Sequence, residues 1–123
     1  MKFQLETQSG GNRFTGYGPG YVLVNHVRYE ANLIVLPESV IANWDVPGLA
    51  GLTVEHIEYL ASLKPEVVLL GTGTSLRFPV PTLSRCLTAS GIGLEVMDTG
   101  AACRTYNILA ADGRKVLAAL LVS

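Results

Sequence analysis

The sequence predicts a single α/β domain in which helices pack against a mainly parallel sheet. The chain has 123 residues, an ordinary length for one domain, and 49% of them are hydrophobic, enough to build a buried core. Residues 1–50 are rich in strand formers and turn residues, whereas helical and strand patterns alternate from residue 53 onward. Such alternation is typical of an α/β fold, and we expect residues 1–123 to form one domain.

The first half of the chain is predicted to form short strands separated by turns. Lys2 to Glu6 alternates polar and apolar residues, as a half-buried strand does. Two β-type runs flank Asn25-His26 in the pattern of a hairpin, and Asn25 suits a turn that requires positive φ. The predicted strands span residues 2–6, 12–17, 21–24, 27–29 and 32–36.

The second half is predicted to alternate helices with strands. Thr53 can cap a first helix that Pro65 prevents from continuing. Thr99 is the expected cap of the third helix, and Gly113 ends it. The last strand is apolar on both faces, which favours a central position in the sheet. The predicted helices span residues 54–63, 81–89 and about 100–111, and the predicted strands span 66–70, 94–97 and 115–122.

Charge and cysteine content argue against several classes of protein. Nine lysine and arginine residues are balanced by ten acidic residues without a block of either sign, so the chain lacks the positive surface of a nucleic-acid binder. The longest strongly apolar run, Val116 to Val122, is far shorter than the ~20 residues of a membrane helix. Cys86 and Cys103 form no CxxC pattern and are expected to be reduced. With no secretion signal or presequence pattern, we expect a cytoplasmic protein.

The best place for a site is one edge of the predicted sheet. The strand at 66–70, the helix at 81–89 and the strand at 94–97 form a βαβ unit, and such crossovers are right-handed and join parallel strands. The loops that follow the two strands, at residues 71–75 and 98–100, should therefore emerge at the same edge. Ligands of open α/β sheets usually bind at that edge.

The first of these loops, Gly-Thr-Gly-Thr-Ser, has two interpretations. Its glycines allow close backbone approach and its hydroxyls can donate to a small anion, with Arg77 near enough to add a charge-assisted bond. The same residues suit a tight turn whose hydroxyls only cap the backbone. The run matches neither of the common phosphate-binding patterns, so both interpretations stay open. The candidate ligand-binding residues here are Gly71, Thr72, Gly73, Thr74, Ser75 and Arg77.

The segment from Asp98 to Asn107 is the most unusual part of the sequence. Small residues open the predicted helix, and larger polar residues then crowd into one turn. Cys103, near the positive end of the helix, could have a lowered pKa that favours the thiolate, although a free cysteine is more often a small core residue. Neither His26 nor His56 neighbours it in sequence, so we assign no catalytic residue. The further candidate ligand-binding residues are Asp98, Thr99, Cys103, Arg104, Tyr106 and Asn107.

Other chemical patterns are missing from the sequence. Two isolated histidines and scattered carboxylates do not make a set of metal ligands, so no metal site is predicted. No GxSxG nucleophile motif occurs. The sequence identifies no cofactor.

Several motifs resemble the complex I assembly factor 3-like family of small proteins. They are Gly71 to Gly73, the run MDTGAACRTYN from Met97 to Asn107, and the segment from Gly113 to Leu120. Gly16 to Asn25 and Val35 to Pro37 also fit, so the likeness covers nearly the whole chain. The resemblance implies a compact three-layer α/β domain with a mixed central sheet and an added β-hairpin. The family has no established reaction, and its mitochondrial member acts through protein contacts.

Two functions therefore compete. The first is a non-enzymatic interaction or assembly protein, acting through a protein partner or self-association. The second is a protein or enzyme that binds a small polar or anionic ligand in the crevice between residues 71–77 and 98–107. We favour the first, because no catalytic set accompanies the resemblance.

Overall fold

A computed structural model describes residues 11–122, so the strand predicted at 2–6 lies outside the described residues. The described part contains eight strands and three α-helices. The strands are β1 (Phe14–Gly18), β2 (Tyr21–Val24), β3 (Val27–Tyr29), β4 (Leu33–Leu36), β5 (Ser39–Ile41), β6 (Val67–Gly71), β7 (Gly93–Met97) and β8 (Val116–Leu120). The helices are α1 (Val54–Ser62), α2 (Pro81–Ala89) and α3 (Thr99–Ala111), and a short 3-10 helix spans Leu49–Gly51.

The strands form two sheets. The larger sheet has the order β5-β4-β8-β6-β7, and β8 is central, as its apolar sequence predicts. Strands β7 and β8 are parallel to β6, whereas β4 is antiparallel to both β8 and β5. The expectation of a mainly parallel sheet is therefore wrong, and the mixed sheet that the resemblance implies is confirmed. Strands β1, β2 and β3 form a separate antiparallel sheet.

The central sheet carries a hydrophobic core on each face. Alternate side chains of a strand point to opposite faces. In β8, Leu117 and Ala119 belong to one core, and Val116 and Ala118 belong to the other. Residues of α1 and α2 complete the first core, and residues of α3 and the small sheet complete the second. The result is three layers: two helices, the central sheet, and α3 with the small sheet.

The turn between β2 and β3 is the predicted hairpin turn. Asn25 and His26 have φ values of 51° and 70°, and two positive values are what a two-residue turn of the favoured twist requires. The Asn25 side chain also accepts a hydrogen bond from the backbone N–H of Arg13 at 3.0 Å. The turn is thereby fixed to the chain entering β1.

Helix α1 begins as predicted, whereas α3 begins one residue earlier. Thr53 and His56 form a reciprocal cap, in which each side chain accepts a hydrogen bond from the other's backbone N–H. At α3 the capping residue is Asp98, whose Oδ1 accepts from the N–H of Ala101 at 2.8 Å. The assignment of Thr99 as the cap is wrong, because its hydroxyl is used elsewhere, as described below.

The end of β8 is held by a residue from a distant part of the chain. The side chain of Asn32 accepts a hydrogen bond from the N–H of Val122 at 2.8 Å and donates one to the carbonyl of Val46 at 2.9 Å. Residues 32, 46 and 122 are therefore joined at one point. Within residues 11–122, no helix is long and apolar enough to cross a membrane.

Candidate functional site

The two turns expected to share an edge of the sheet do lie against each other. Strands β6 and β7 are parallel, with Gly71 opposite Met97. The backbone N–H of Thr72 donates to the carbonyl of Met97 at 2.9 Å, which continues the pairing past the end of both strands. This part of the prediction is confirmed, and we call residues 71–75 and 98–100 together the rim.

The polar groups at the centre of the rim bond to one another. The N–H of Gly73 donates to the hydroxyl of Thr99 at 2.9 Å, and the N–H of Thr99 donates to the carbonyl of Gly73 at 2.9 Å. The Thr99 hydroxyl then donates to the carbonyl of Leu121 at 2.8 Å. Thr72 is also buried, and its hydroxyl donates to the carbonyl of Ser75 at 2.8 Å. The hydroxyls of Thr72 and Thr99 are therefore already used in closing the turn.

Gly71 is needed because α3 begins very close to the end of β6. A Cβ atom at position 71 would lie 2.8 Å from the side chain of Leu120 and 3.0 Å from the Cα of Thr99. Gly73 has a φ of 99°, which side chains rarely tolerate. The two glycines therefore serve the packing of the strand against the helix.

A shallow crevice of about 230 Å3 lies between the rim and the turn that joins β1 to β2. Five of the predicted site residues line it, namely Gly73, Thr74, Asp98, Thr99 and Arg104. Gly100 of the predicted loop at 98–100 also lines it, and the lining residues that were not predicted are Tyr17, Gly18, Pro19 and Val122. The Gly-Tyr-Gly-Pro-Gly run around Tyr17, an aromatic residue beside a tight turn, is the signal that could have identified them.

Tyr17 and Arg104 form the outer wall of this crevice. Arg104 Nη1 donates to the Tyr17 hydroxyl, and the guanidinium carbon lies 5.7 Å from the centre of the Tyr17 ring. The ring rests on the first turn of α3, where a Cβ atom on Gly100 would lie 2.7 Å from it. Tyr17 remains 40% exposed and Arg104 is exposed. The pair is thus an ordered, accessible aromatic and cationic surface.

Cys103 and Tyr106 lie in the core rather than at the rim. Cys103 is 1% exposed, and burial raises the pKa of its thiol to about 12, with the nearby Arg104 opposing the shift. The expectation of a lowered pKa is wrong, because desolvation of a thiolate outweighs the positive end of the helix. Tyr106 is fully buried with its ring edge-on to Phe14 at 5.1 Å, and burial raises the pKa of its phenol.

Asn107 is occupied in holding β1. Its side chain accepts a hydrogen bond from the N–H of Phe14 at 2.9 Å and donates one to the carbonyl of Phe14 at 2.8 Å. The amide therefore pairs with Phe14 as a neighbouring strand would. This use leaves Asn107 no evident role in ligand binding.

Arg77 and Ser75 are exposed, and neither lines the crevice. The backbone N–H of Arg77 donates to the hydroxyl of Thr72 at 3.2 Å, while its guanidinium is free of any hydrogen bond found among residues 11–122.

Within the same residues, no group of three histidine, cysteine or acidic side chains is placed to hold a metal ion. The imidazole of His56, which takes part in the cap of α1, also has its Nε2 atom 3.1 Å from the carbonyl oxygen of Asp45.

These contacts limit what the crevice can bind. An anion at a helix N-terminus needs free N–H groups and no competing negative charge. Here the N–H groups of Gly73, Thr99 and Ala101 are used within the protein, and the Asp98 carboxylate occupies the end of the helix. The chemistry the crevice still offers is aromatic and cationic, from Tyr17 and Arg104.

The family profile described as "Protein of unknown function (DUF498/DUF598)" matches residues 14–121. The NADH dehydrogenase [ubiquinone] 1 alpha subcomplex assembly factor 3 of Bos taurus is 36% identical over 83% of this chain and 55% of its own length. The "13 kDa major membrane protein" of Francisella tularensis is 26% identical over 94% of this chain and 95% of its own. The chain thus spans about half the length of the bovine relative.

A solved structure of a protein from Bordetella parapertussis has the same fold. It is 45% identical, covers 92% of this chain and 97% of its own, and superposes with a TM-score of 0.85. The fold expected from the resemblance is therefore confirmed.

Proposed function

The chain belongs to the complex I assembly factor 3-like family, described as a protein family of unknown function (DUF498/DUF598), and from that membership we propose that it is a non-enzymatic interaction or assembly protein. From the relatives that are named assembly factors we take only what that name implies, which is contact with other proteins. We also propose that the whole chain acts as one domain, because both cores share the central sheet. A cytoplasmic location stays a prediction.

The structural observation that carries the proposal beyond family membership is the pair formed by Tyr17 and Arg104. Tyrosine and arginine are enriched among the residues that dominate protein interfaces. The two side chains are held in one arrangement by their hydrogen bond and by the packing of the Tyr17 ring against Gly100. Little side-chain entropy is therefore lost when a partner covers them. An ordered pair of this kind supports a contact surface at the crevice.

The roles of the candidate nucleophile and bases also support a non-enzymatic function. Catalysis by cysteine needs a thiolate with a base in reach, whereas the Cys103 thiol is buried with a raised pKa. His56 is held in the cap of α1. His26 occupies the hairpin turn with positive φ. Cys103 and His56 therefore each have a structural role.

The alternative function, binding of a small polar or anionic ligand at the rim, has weaker support. It relied on free hydroxyls and N–H groups at residues 71–75 and 98–99, and those of Thr72, Gly73 and Thr99 bond within the protein. The polar side chains that remain for such a ligand are Thr74 and Arg104 in the crevice, and Ser75 and Arg77 outside it.

The test is a quantitative affinity purification from the native host with tagged full-length chain. We expect a protein partner, or a second copy, that the wild type recovers and that Tyr17→Ala and Arg104→Glu lose. Lys64→Glu, which makes the same charge change at an exposed position after α1, is the matched control and should recover the partner. Recovery of the same proteins by all four chains would contradict the proposal.

A further inference from the structure

The connection between β6 and α2 exposes three large apolar side chains. Leu76, Phe78 and Val80 are 51%, 70% and 61% exposed, and they alternate along the chain. The connection runs from Thr72 to Val80, longer than the ~2–6 residues usual between a strand and a helix of this kind of fold. The polar turn at 71–75 already closes the strand, so folding alone does not explain the apolar residues that follow. We call residues 76–80 the apolar loop.

The apolar loop is stiff. Phe78 and Val80 each precede a proline, and a residue before proline is restricted to extended conformations. Val80 accordingly has φ −63° and ψ 143°. The backbone that carries Phe78 and Val80 is therefore restricted before any binding, so less backbone entropy is lost when these side chains are buried.

The charged residues nearest to the apolar loop in sequence are both positive. From Val67 to Leu94 the sequence contains no aspartate or glutamate, and its charged residues are Arg77 and Arg85. Both arginines are exposed. A side-chain nitrogen of Arg85 lies 3.3 Å from the hydroxyl of Thr82 in the first turn of α2, which places this cation next to the end of the loop.

We propose that the apolar loop docks onto an anionic lipid surface, inserting Leu76, Phe78 and Val80 among the acyl chains while Arg77 and Arg85 contact the headgroup phosphates. Apolar side chains flanked by cations are the chemistry that binds the interface of a bilayer without crossing it. Each cation close to an anionic leaflet adds to the attraction. Residues 67–94 contribute no acidic side chain to oppose it, and the Asp98 carboxylate of the rim is engaged in capping α3. This inference is independent of the contact surface at Tyr17 and Arg104.

The test is sedimentation of the full chain with large unilamellar vesicles of phosphatidylglycerol and phosphatidylcholine in equal parts. We expect the wild type to bind these vesicles, and Phe78→Ser to lower its partition coefficient on the order of tenfold. Ile108→Ser is the matched control, because Ile108 is 64% exposed on α3, in the layer on the other side of the central sheet, and its loss should leave partition unchanged. Arg77→Gln combined with Arg85→Gln should weaken binding to these vesicles but not to phosphatidylcholine alone.

Fluorescence provides a second readout that does not depend on affinity. In Phe78→Trp, the emission should shift to shorter wavelength when anionic vesicles are added, whereas buried Trp44 supplies a constant background. A wild type that does not partition, an equal loss in Phe78→Ser and Ile108→Ser, or an unshifted emission would each overturn the proposal. Loss of a protein contact in Phe78→Ser without vesicle binding by the wild type would overturn it too, and would indicate a protein groove as the occupant.

Discussion

The turn at residues 71–75 and the apolar loop at 76–80 follow one another in the chain but direct their side chains in opposite ways. In the turn, the polar groups of Thr72 and Gly73 face inward and bond within the protein. In the loop, Phe78 and its apolar neighbours face outward and contact little. The comparison teaches that glycines and hydroxyls after a strand need not mark a ligand site. The exposed apolar side chains that are available for binding lie in the apolar loop, which contains no glycine and no hydroxyl.

Thr99→Val should break the turn and give the largest effect. It leaves the buried N–H of Gly73 and the carbonyl of Leu121 without partners, so we expect the free energy of unfolding to fall by about 2–4 kcal/mol in urea denaturation. Thr74→Val, at an exposed position of the same turn, should change it by less than about 0.5 kcal/mol. Equal stabilities for the two variants would mean that the turn does not depend on Thr99.

Asn107→Ala tests a second polar residue that was assigned to the site and proves to be structural. Both backbone groups of Phe14 lose their partner, although they are only partly buried and water can replace some of the loss. We expect a decrease in unfolding free energy of about 1–3 kcal/mol. The neighbouring Ile108→Ala, at an exposed position of the same helix, serves as the control and should stay within about 0.5 kcal/mol. An Asn107→Ala chain as stable as this control would show that the pairing with β1 contributes nothing.

Cys103 should make stability depend on alkaline pH. Its folded-state pKa of about 12 exceeds the ordinary value of 9.0, so between these values the unfolded chain loses the thiol proton while the folded chain keeps it. Its contribution is complete below about pH 9 and is lost as pH rises, at a limiting slope of about 1.4 kcal/mol per pH unit. The measurement is the difference in unfolding free energy between wild type and Cys103→Ala at several pH values. A difference that does not change from pH 8 to pH 10.5 would contradict the raised pKa.

Phe78→Ser should have the smallest effect on the free energy of unfolding, in contrast to Thr99→Val in the turn. Because the Phe78 side chain is mostly exposed, we expect the free energy of unfolding to change by less than about 0.5 kcal/mol. Thermal unfolding of wild type and variant in the same buffer checks this. A large loss would show that the ring is packed against the protein and cannot be free for docking.

Periodicity and turn chemistry predicted most of the fold. The hairpin at Asn25-His26, the cap at Thr53 and the central position of β8 all follow from local patterns, and all are present. Strand β5 and the 3-10 helix escaped prediction because three residues are too few to show a period, whereas the equally short β3 was predicted from the hairpin turn that precedes it. The antiparallel partner of β8 was missed because pairing with β4 depends on contacts between distant parts of the chain.

The site was predicted in its position but not in its chemistry. The parallel strand pair expected of a βαβ unit brought the two turns of the rim together correctly. Position along a helix suggested a reactive Cys103, but the sequence does not reveal that its face of α3 is buried against the sheet. Tyr17 was missed because it reaches the rim from the small sheet, through a contact with Gly100 that sequence distance conceals.

The apolar character of β8 on both faces has one more consequence. A strand with a polar face can be aligned by hydrophobicity alone, because sliding it by one residue would bury the wrong side. Shifting β8 by one residue would only exchange one set of apolar side chains for another. Hydrophobic burial therefore does not fix the register of β8 against its neighbouring strands. Thr99 and Asn32 supply it by bonding Leu121 and Val122 just past the strand's end, so that two polar residues decide the alignment of the most apolar segment in the molecule.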